Sequence, residues 1–450
     1  MSTIDGKASH GAGISVDAGF FSEHRARLLK ALGRDAALLF APPHRLRNAD
    51  TEYRYRQSSD VYYLSGWEDP EAVLLLRPGA EKPFVMFVQP KDPEREVWTG
   101  VRPGPEGAVG EWGADAAFPI ADLDAKLPEL LLGYRTIHYK FGEHTEDDDV
   151  VSRAINAARR LARKTRQDVP DTIVDPSRVL HELRLVKTPD ELALLRHSAG
   201  ISKKAHLAAM AMTRPGVHEY ELEARIDSIF RGEGGNGPGY TTIVGGGRNA
   251  TVLHYVRNGD ALRAGDLVCV DAGCEYRYYT TDVTRTWPVS GRFTDAQKAL
   301  YQLVLDAELA AIEAIKPGEP YKVVHDAATR TLVEGMIRIG LLAGDPQEAM
   351  SKETYKRYYM HSTGHWLGLD VHDAGVYNRD GDSRAMDLGM VTTVEPGIYV
   401  SADDTQAPEQ FRGLGIRIED DVLVTESGYE VLTQAIPKEI ADVEAAVGID

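Results

Sequence analysis

The sequence predicts a smaller α/β domain followed by a larger α+β domain, on three observations. At roughly 100–200 residues per domain, a chain of 450 residues calls for two or three. Helical and short strand patterns alternate through residues 1–180, as an α/β unit requires. Beyond a break at Asp171–Pro176, helix pairs are interspersed with strand-like segments, which predicts a mainly antiparallel sheet backed by helices over residues 181–450.

In chain order, Phe20–Gly33 has the spacing of an amphipathic helix, and Ala36–Ala41, Ala72–Arg77 and Pro83–Val88 read as short buried strands. The basic run Arg159–Arg166 reads as a solvated helix face, because 69 Asp+Glu against 51 Lys+Arg give a formal charge of −18 that opposes polyanion binding. Thr188, Pro189 and Glu191 spell a helix start, with an N-cap, a proline in the first turn and a capping box. Ala208–Phe230 and Ala310–Leu332 then echo each other as helix, Pro-Gly break, helix, at an offset of 102 residues from Pro215 to Pro317. That predicts two similar halves with a cleft between them. Strands are expected at Tyr240–Val244, Thr251–Val256, Leu267–Gly273, Tyr276–Thr281, Val283–Val289, Val391–Val394, Ile416–Ile418 and Val422–Val424. Gly232–Gly237 matches G-x-G-x-x-G but follows a helix and leads into a strand, the reverse of a dinucleotide fingerprint, so it reads as a turn.

Composition excludes several classes. Two cysteines, Cys269 and Cys274, make no secreted disulfide framework. The N-terminal stretch MSTIDGKASHGAGISVDAG lacks the basic and apolar regions of a secretory signal, and no run approaches the ~18 apolar residues of a membrane span. A cytoplasmic protein without nucleic-acid or membrane partners is expected. No phosphate-binding loop or serine elbow is present either.

The chemistry points to acids that end apolar strands. Asp271 closes Leu-Val-Cys-Val-Asp, Asp282 lies 11 residues later, Glu395 closes Val-Thr-Thr-Val-Glu, and Glu419 follows Gly-Ile-Arg-Ile. A lone carboxylate ending a buried strand faces a desolvation penalty and needs a partner, and a divalent cation is the ordinary means of neutralising several converging carboxylates. His361, His365 and His372 add imidazoles, although Gly364 and Gly368 favour a strand or loop over a zinc-binding helix. Four acids and an imidazole suit two ions better than one, and the oxygen-rich, thiolate-free set favours Mn²⁺ while admitting Co²⁺ or Zn²⁺. This is a hydrolase pattern.

VDAGCEYRYYTTDVTRTWPVSGRF, HSTGHWLGLDVHD, TVEPGIYV and GIRIEDDVLVT together resemble the pita-bread metallopeptidases, in particular their Xaa-Pro aminopeptidase (aminopeptidase P) branch. Tyr53–Leu76 and Glu94–Ala108 resemble the N-terminal domain of that branch, which is of the creatinase/aminopeptidase P type. The resemblance implies a catalytic domain of two pseudo-twofold halves, with Asp271, Asp282, His365, Glu395 and Glu419 as ligands of two metal ions. It further implies a bridging hydroxide that attacks the bond before proline, Glu395 as general base, and His254 and His372 beside the developing oxyanion and substrate carbonyl. His361 would seat the proline side, and Arg417 and Tyr399 would hold the ligands in place. Trp98 matches a tryptophan that reaches a neighbouring subunit's site, implying a homo-oligomer, dimer or tetramer, acting on proline-containing peptides. A prolidase restricted to Xaa-Pro dipeptides and a non-catalytic binding module of the same fold are the alternatives.

Overall fold

The computed structural model describes residues 14 and 16–448, so most of the N-terminal stretch read for a signal lies outside the described residues. The chain divides into two compact units, Ser15–Arg184 and one containing Leu185–Asp450. No described helix is long and apolar enough to cross a membrane.

In the N-terminal unit, helix α1 (Ala18–Leu32) starts where the Asp17 carboxylate accepts from the N–H groups of Gly19 and Phe20. It buries Phe21, His24, Arg25, Leu28 and Leu32, a stripe at helical spacing. Six strands form a mixed sheet: β1 (Ala36–Phe40), β2 (Val73–Leu76), β3 (Phe84–Val88), β4 (Ala116–Pro119), β5 (Thr136–His138) and β6 (Thr172–Val174), in the order β4-β3-β2-β1-β5-β6. The antiparallel pairs are β1 with β2 and β2 with β3; the others run parallel. Helix α2 (Pro93–Thr99) buries none of its residues. Helix α3 (Thr145–Thr165) packs Val151, Ala154 and Ile155 into the core with Leu38, Leu75, Phe87 and Ile137. The basic run leaves Arg159, Arg160, Arg163 and Lys164 on its exposed side.

The second unit opens with α4 (Pro189–Met212), whose capping box is complete: the Glu191 N–H donates to Thr188 Oγ1 at 3.3 Å and the Thr188 N–H to Glu191 Oε2 at 2.8 Å. Helices α4 and α5 (Glu219–Gly232) flank the first Pro-Gly break; α6 (Asp295–Glu313) and α7 (Lys322–Arg338) flank the second. The echo extends to the backbone. Gly216 and Gly318 both take positive φ, 94° and 86°. The Gly216 N–H donates to Leu262 O and the Leu262 N–H returns to Val217 O; likewise, the Gly318 N–H donates to Met386 O and the Met386 N–H returns to Glu319 O. Each half thus closes its helix pair with the same two-bond clasp.

Each half also carries a small antiparallel sheet. In the first, β7 (Ile243–Gly246) and β9 (Thr284–Pro288) flank β8 (Leu267–Asp271). The second half has β10 (Val391–Val394), a short pair β11 (Gly397–Tyr399) and β12 (Gly415–Arg417), then β13 (Asp420–Thr425) and β14 (Gly428–Val431), with β13 central between β10 and β14. Trp366, Met386, Met390, Val394, Val422 and Val424 fill the core beneath.

Two expected strands are absent as such: Tyr276–Thr281 is not one strand but the turn and return arm of a hairpin, because Arg277 and Tyr278 take φ of 51° and 68°. Thr251–Val256 ends a 3₁₀ turn (Gly247–Thr251) and continues irregularly, because its Leu253 and Val256 face a cavity and not a sheet.

Candidate active site and metal centre

The carboxylates collect because the strand ends collect. Asp271 ends β8 opposite Thr284. The chain between them doubles back as a tight hairpin, Cys274–Tyr276 with Tyr279–Thr280, turning at Arg277 and Tyr278 with φ of 51° and 68°. Asp282 therefore returns to the end of β8 from which the chain left. Helix α4 fixes this hairpin from behind through Ser198, Ser202 and His206, spaced along one face: Ser198 Oγ donates to Cys274 O, Ser202 Oγ pairs with Thr281 Oγ1, and His206 Nε2 with Ala272 O. In the other half Val394 pairs with Asp420, so Glu395 and Glu419 leave the same end of the β10–β13 ladder.

His365 runs beside β10 in extended, non-helical chain. The Thr393 N–H donates to His365 O at 2.9 Å and the Leu367 N–H to Val391 O at 3.0 Å. Glycine permits the approach, since a Cβ on Gly364 would lie 2.0 Å from Thr393 O. The i, i+4 spacing of His361 and His365 thus belongs to a loop, as the glycines suggest.

One ligand atom each from Asp282, His365 and Glu419 lie within 4.8 Å of one another. His365 Nε2 is 3.2 Å from Asp282 Oδ2 and 3.7 Å from Glu395 Oε1. Its Nδ1 is 3.0 Å from the Trp366 carbonyl, which holds a proton on that nitrogen and aims Nε2 at the carboxylate oxygens. Burial lowers the pKa of this imidazole, but Asp282 and then Glu395 outweigh it and raise it to about 9, so without a metal the ring shares a proton with Asp282. Burial pushes Asp271, Glu395 and Glu419 above the usual carboxylate range, and the neighbouring acids add to the rise. Burial acts on Asp282 in the same sense, but His365 outweighs it and draws Asp282 down. Arg417 alone cannot neutralise four carboxylates, so the donor set fits divalent cations.

A buried relay supports these groups. Arg417 donates from Nη2 to Asp271 Oδ2 at 2.7 Å, from Nε to Thr284 Oγ1 at 2.9 Å and from Nη1 to Tyr399 OH at 3.0 Å. Thr284 Oγ1 in turn donates to Glu419 Oε2 at 2.7 Å, and Tyr240 OH to Asp271 Oδ1 at 2.6 Å. Tyr399 OH also reaches His361 Nε2 at 2.9 Å, while His361 Nδ1 meets Ser362 O at 2.8 Å. Burial and then Arg417 bring His361 down to about 4, so the ring is neutral with both nitrogens engaged. Burial and then His365 also lower His372.

These side chains line a cavity of about 1320 Å³ whose wall includes Asp271, Asp282, His365, Glu395, Arg417 and Glu419. His254, His361 and His372 line it as well. Tyr399 stands behind His361 and Arg417. Trp98 lies in the N-terminal unit on α2, 87% exposed.

Sequence reasoning missed Tyr240, Thr284 and His325. Thr284 follows Asp282 by two residues on a strand, the spacing of a shared face, which was a usable signal. His325 pairs through Nδ1 with Thr363 Oγ1 at 2.8 Å, and the Thr363 carbonyl accepts the Glu395 N–H at 2.7 Å. Neither His325 nor Tyr240 carries a local mark in the sequence.

Comparison with known proteins matches residues 193–426 to metallopeptidase family M24 and residues 21–138 to the aminopeptidase P N-terminal domain. The chain is 42% identical over 412 residues to the Xaa-Pro aminopeptidase of Escherichia coli (strain K12), covering 91% of this chain and 93% of that one. Its fold is similar to that of an aminopeptidase of Pseudomonas aeruginosa, with a TM-score of 0.94, 44% identity, and coverage of 96% and 98% of the two chains. It is also similar to zinc-substituted E. coli aminopeptidase P in complex with product, at a TM-score of 0.92 and 40% identity over 96% and 98% of the chains.

Proposed function

The chain belongs to metallopeptidase family M24, and from that premise we infer that it is an Xaa-Pro aminopeptidase, a metal-dependent exopeptidase that releases the N-terminal residue before proline. The observation that carries this is the convergence of Asp282, His365 and Glu419, with Asp271 and Glu395 alongside, in one cavity.

Asp271, Asp282, His365, Glu395 and Glu419 would hold two divalent ions. When bound, such a pair acidifies water to a nucleophile and supplies positive charge to a polarised carbonyl. Glu395, whose Oε1 lies 3.7 Å from His365 Nε2 in the same cavity, accepts the nucleophile's proton. His254 and His372 offer N–H groups to the substrate carbonyl as negative charge develops on its oxygen. His361, its nitrogens tied to Ser362 and Tyr399, presents a neutral ring edge to the proline side. A prolyl nitrogen has no N–H, so a site that asks for none admits it, and selection over ordinary peptide bonds falls to a site shaped for the pyrrolidine ring.

The thiolate-free donor set supports Mn²⁺, with Co²⁺ or Zn²⁺ able to use the same ligands. Free, buried Cys269 and Cys274 fit the reducing cytoplasm. Trp98, by its exposure, fits a role at a neighbouring subunit's site in a homo-oligomer. The cavity, about 1320 Å³, exceeds the roughly 300–1,000 Å³ of ordinary small-ligand sites, which supports substrates longer than a dipeptide.

The test is hydrolysis of Xaa-Pro against Xaa-Pro-Yaa, with Mn²⁺ and after chelation. Release of Xaa from the tripeptide, lost on chelation and restored by Mn²⁺, is expected. Cleavage of the dipeptide alone would assign a prolidase, and undiminished activity in fully metal-stripped protein would remove the metal mechanism.

A further inference from the structure

Glu219, the first residue of α5, is completely buried and lies outside the metal centre. Its carboxylate takes four hydrogen bonds. Oε1 accepts from the Gly246 N–H at 2.8 Å and Asn249 Nδ2 at 2.9 Å; Oε2 accepts from Tyr255 OH at 2.9 Å and the Asp260 N–H at 2.8 Å. The donors come from the two ends of one irregular loop. Gly246 and Asn249 precede His254; Tyr255 and Asp260 follow it. Asn249 Nδ2 also reaches Asp260 Oδ2 at 3.0 Å, closing the base of the loop.

Apart from this carboxylate, the loop is held mainly at its far end, where the Glu219 N–H donates to Asp260 O at 3.0 Å and Asn258 Nδ2 donates to Glu223 Oε2 at 2.9 Å. Residues 252–260 form no helix or strand, Val252 and Val256 are about half exposed, and His254 is exposed on the cavity rim. Asn258 ties the returning strand to Thr242 O and Val244 N, but it lies four residues beyond His254. Tyr255 is adjacent to His254, and its hydroxyl bond to Glu219 fixes the backbone next to the imidazole.

We propose that Glu219 is a positioning residue for catalysis, holding the loop closed through Gly246, Asn249, Tyr255 and Asp260 so that His254 meets the substrate carbonyl. The inference rests on the role given above to His254. A buried carboxylate with four donors is the economical device here. It can accept from all of them at once, whereas an amide at the same place must turn its own donors toward one pair.

The experiment is a double-mutant cycle on the full-length, Mn²⁺-loaded enzyme, measuring kcat, KM and bound metal for Glu219→Gln, Tyr255→Phe, His254→Ala and the combinations with His254→Ala. Glu219→Gln is expected to lower kcat about 10- to 100-fold by misplacing the loop, and Tyr255→Phe by less, with bound metal unchanged. In the His254→Ala background, neither should lower kcat more than about twofold further, since residues acting through one another are not additive. Tyr255→Phe removes a single bond and keeps the test open if Glu219→Gln fails to fold. Multiplicative losses, loss of bound metal in Glu219→Gln or Tyr255→Phe, or full activity in both single variants would overturn the proposal while leaving His254 its role. An inert His254→Ala would instead overturn the role of His254, and the proposal with it.

Discussion

Arg417 and Asp271 form a buried ion pair, Nη2 to Oδ2 at 2.7 Å, beside carboxylates that have no other permanent cation in direct contact among the described residues. Their side chains are 5% and 11% exposed, so little water screens them. Removing one partner of such a pair leaves the other charge buried and costs about 3–5 kcal/mol. Arg417→Ala should therefore destabilise metal-free protein by about that much, and metal-loaded protein by less, since divalent ions neutralise the same acids. Urea unfolding with Mn²⁺ and with chelator checks this; equal losses in both forms would refute it. Arg417→Lys keeps the charge but cannot serve Asp271, Thr284 and Tyr399 together from one planar fork, so kcat should still fall about tenfold or more.

Lys187 and Asp373 form a second buried pair, 2.9 Å apart with side chains 1% exposed. Asp373 adjoins His372, its N–H donates to Trp366 O, and the Lys187 N–H donates to Gly389 O. The pair thus pins the loop that carries His372. Lys187→Met should cost about 3–5 kcal/mol and lower kcat, with bound metal unchanged. Adding Asp373→Asn should recover part of the lost stability, because the amide carries no charge for burial to penalise. Denaturant unfolding of both variants, read with metal content, decides; a double variant less stable than Lys187→Met would contradict the account.

Asp60 gives a pH prediction for the N-terminal unit. Burial alone would raise its carboxyl, but His181 at 3.4 Å and Arg184 at 2.7 Å overcome that and hold it well below the usual range. A depressed folded pKa means that the folded state releases the proton first. The resulting stability is complete above the unfolded value of about 3.9 and fades as pH falls toward the folded one. Asp60→Asn should therefore be less stable than the parent at about pH 5, with the gap narrowing below about pH 4. Urea titrations from about pH 5 downward test it, and a gap that widens below about pH 4 would reverse the sign.

The convergence of the acids was legible because their chemistry conflicts with their surroundings: a carboxylate at the end of Leu-Val-Cys-Val or Gly-Ile-Arg-Ile demands a partner, and four such demands suggest a shared one. The helix start at Thr188 was legible because capping is local. The loop carrying His254 was not. Val252, Leu253 and Val256 have the look of a strand, but the hydrogen bonds that decide the matter come from Glu219, 27 to 41 residues earlier. Long-range polar contacts leave no local pattern, and for the same reason Tyr240 and His325 were missed.

Helix α2 tests the oligomer. A seven-residue helix that buries none of its side chains gains little stability within its own chain. Val97, Trp98 and the nearby Val101, all large and apolar, are 81%, 87% and 84% exposed. If that surface completes a neighbouring subunit's site, sedimentation should show an oligomer, and Trp98→Ala should raise KM for Xaa-Pro-Yaa. The stability of the isolated chain should hardly change, because the tryptophan contributes almost no burial to it. Mixing Trp98→Ala with a chain inactivated at Glu395 supplies the decisive measurement. A ring of mixed subunits pairs an intact catalytic centre with an intact Trp98 from its neighbour, so the low KM should return in part. A monomer with full activity, or a mixture no better than Trp98→Ala alone, would remove Trp98 from the site.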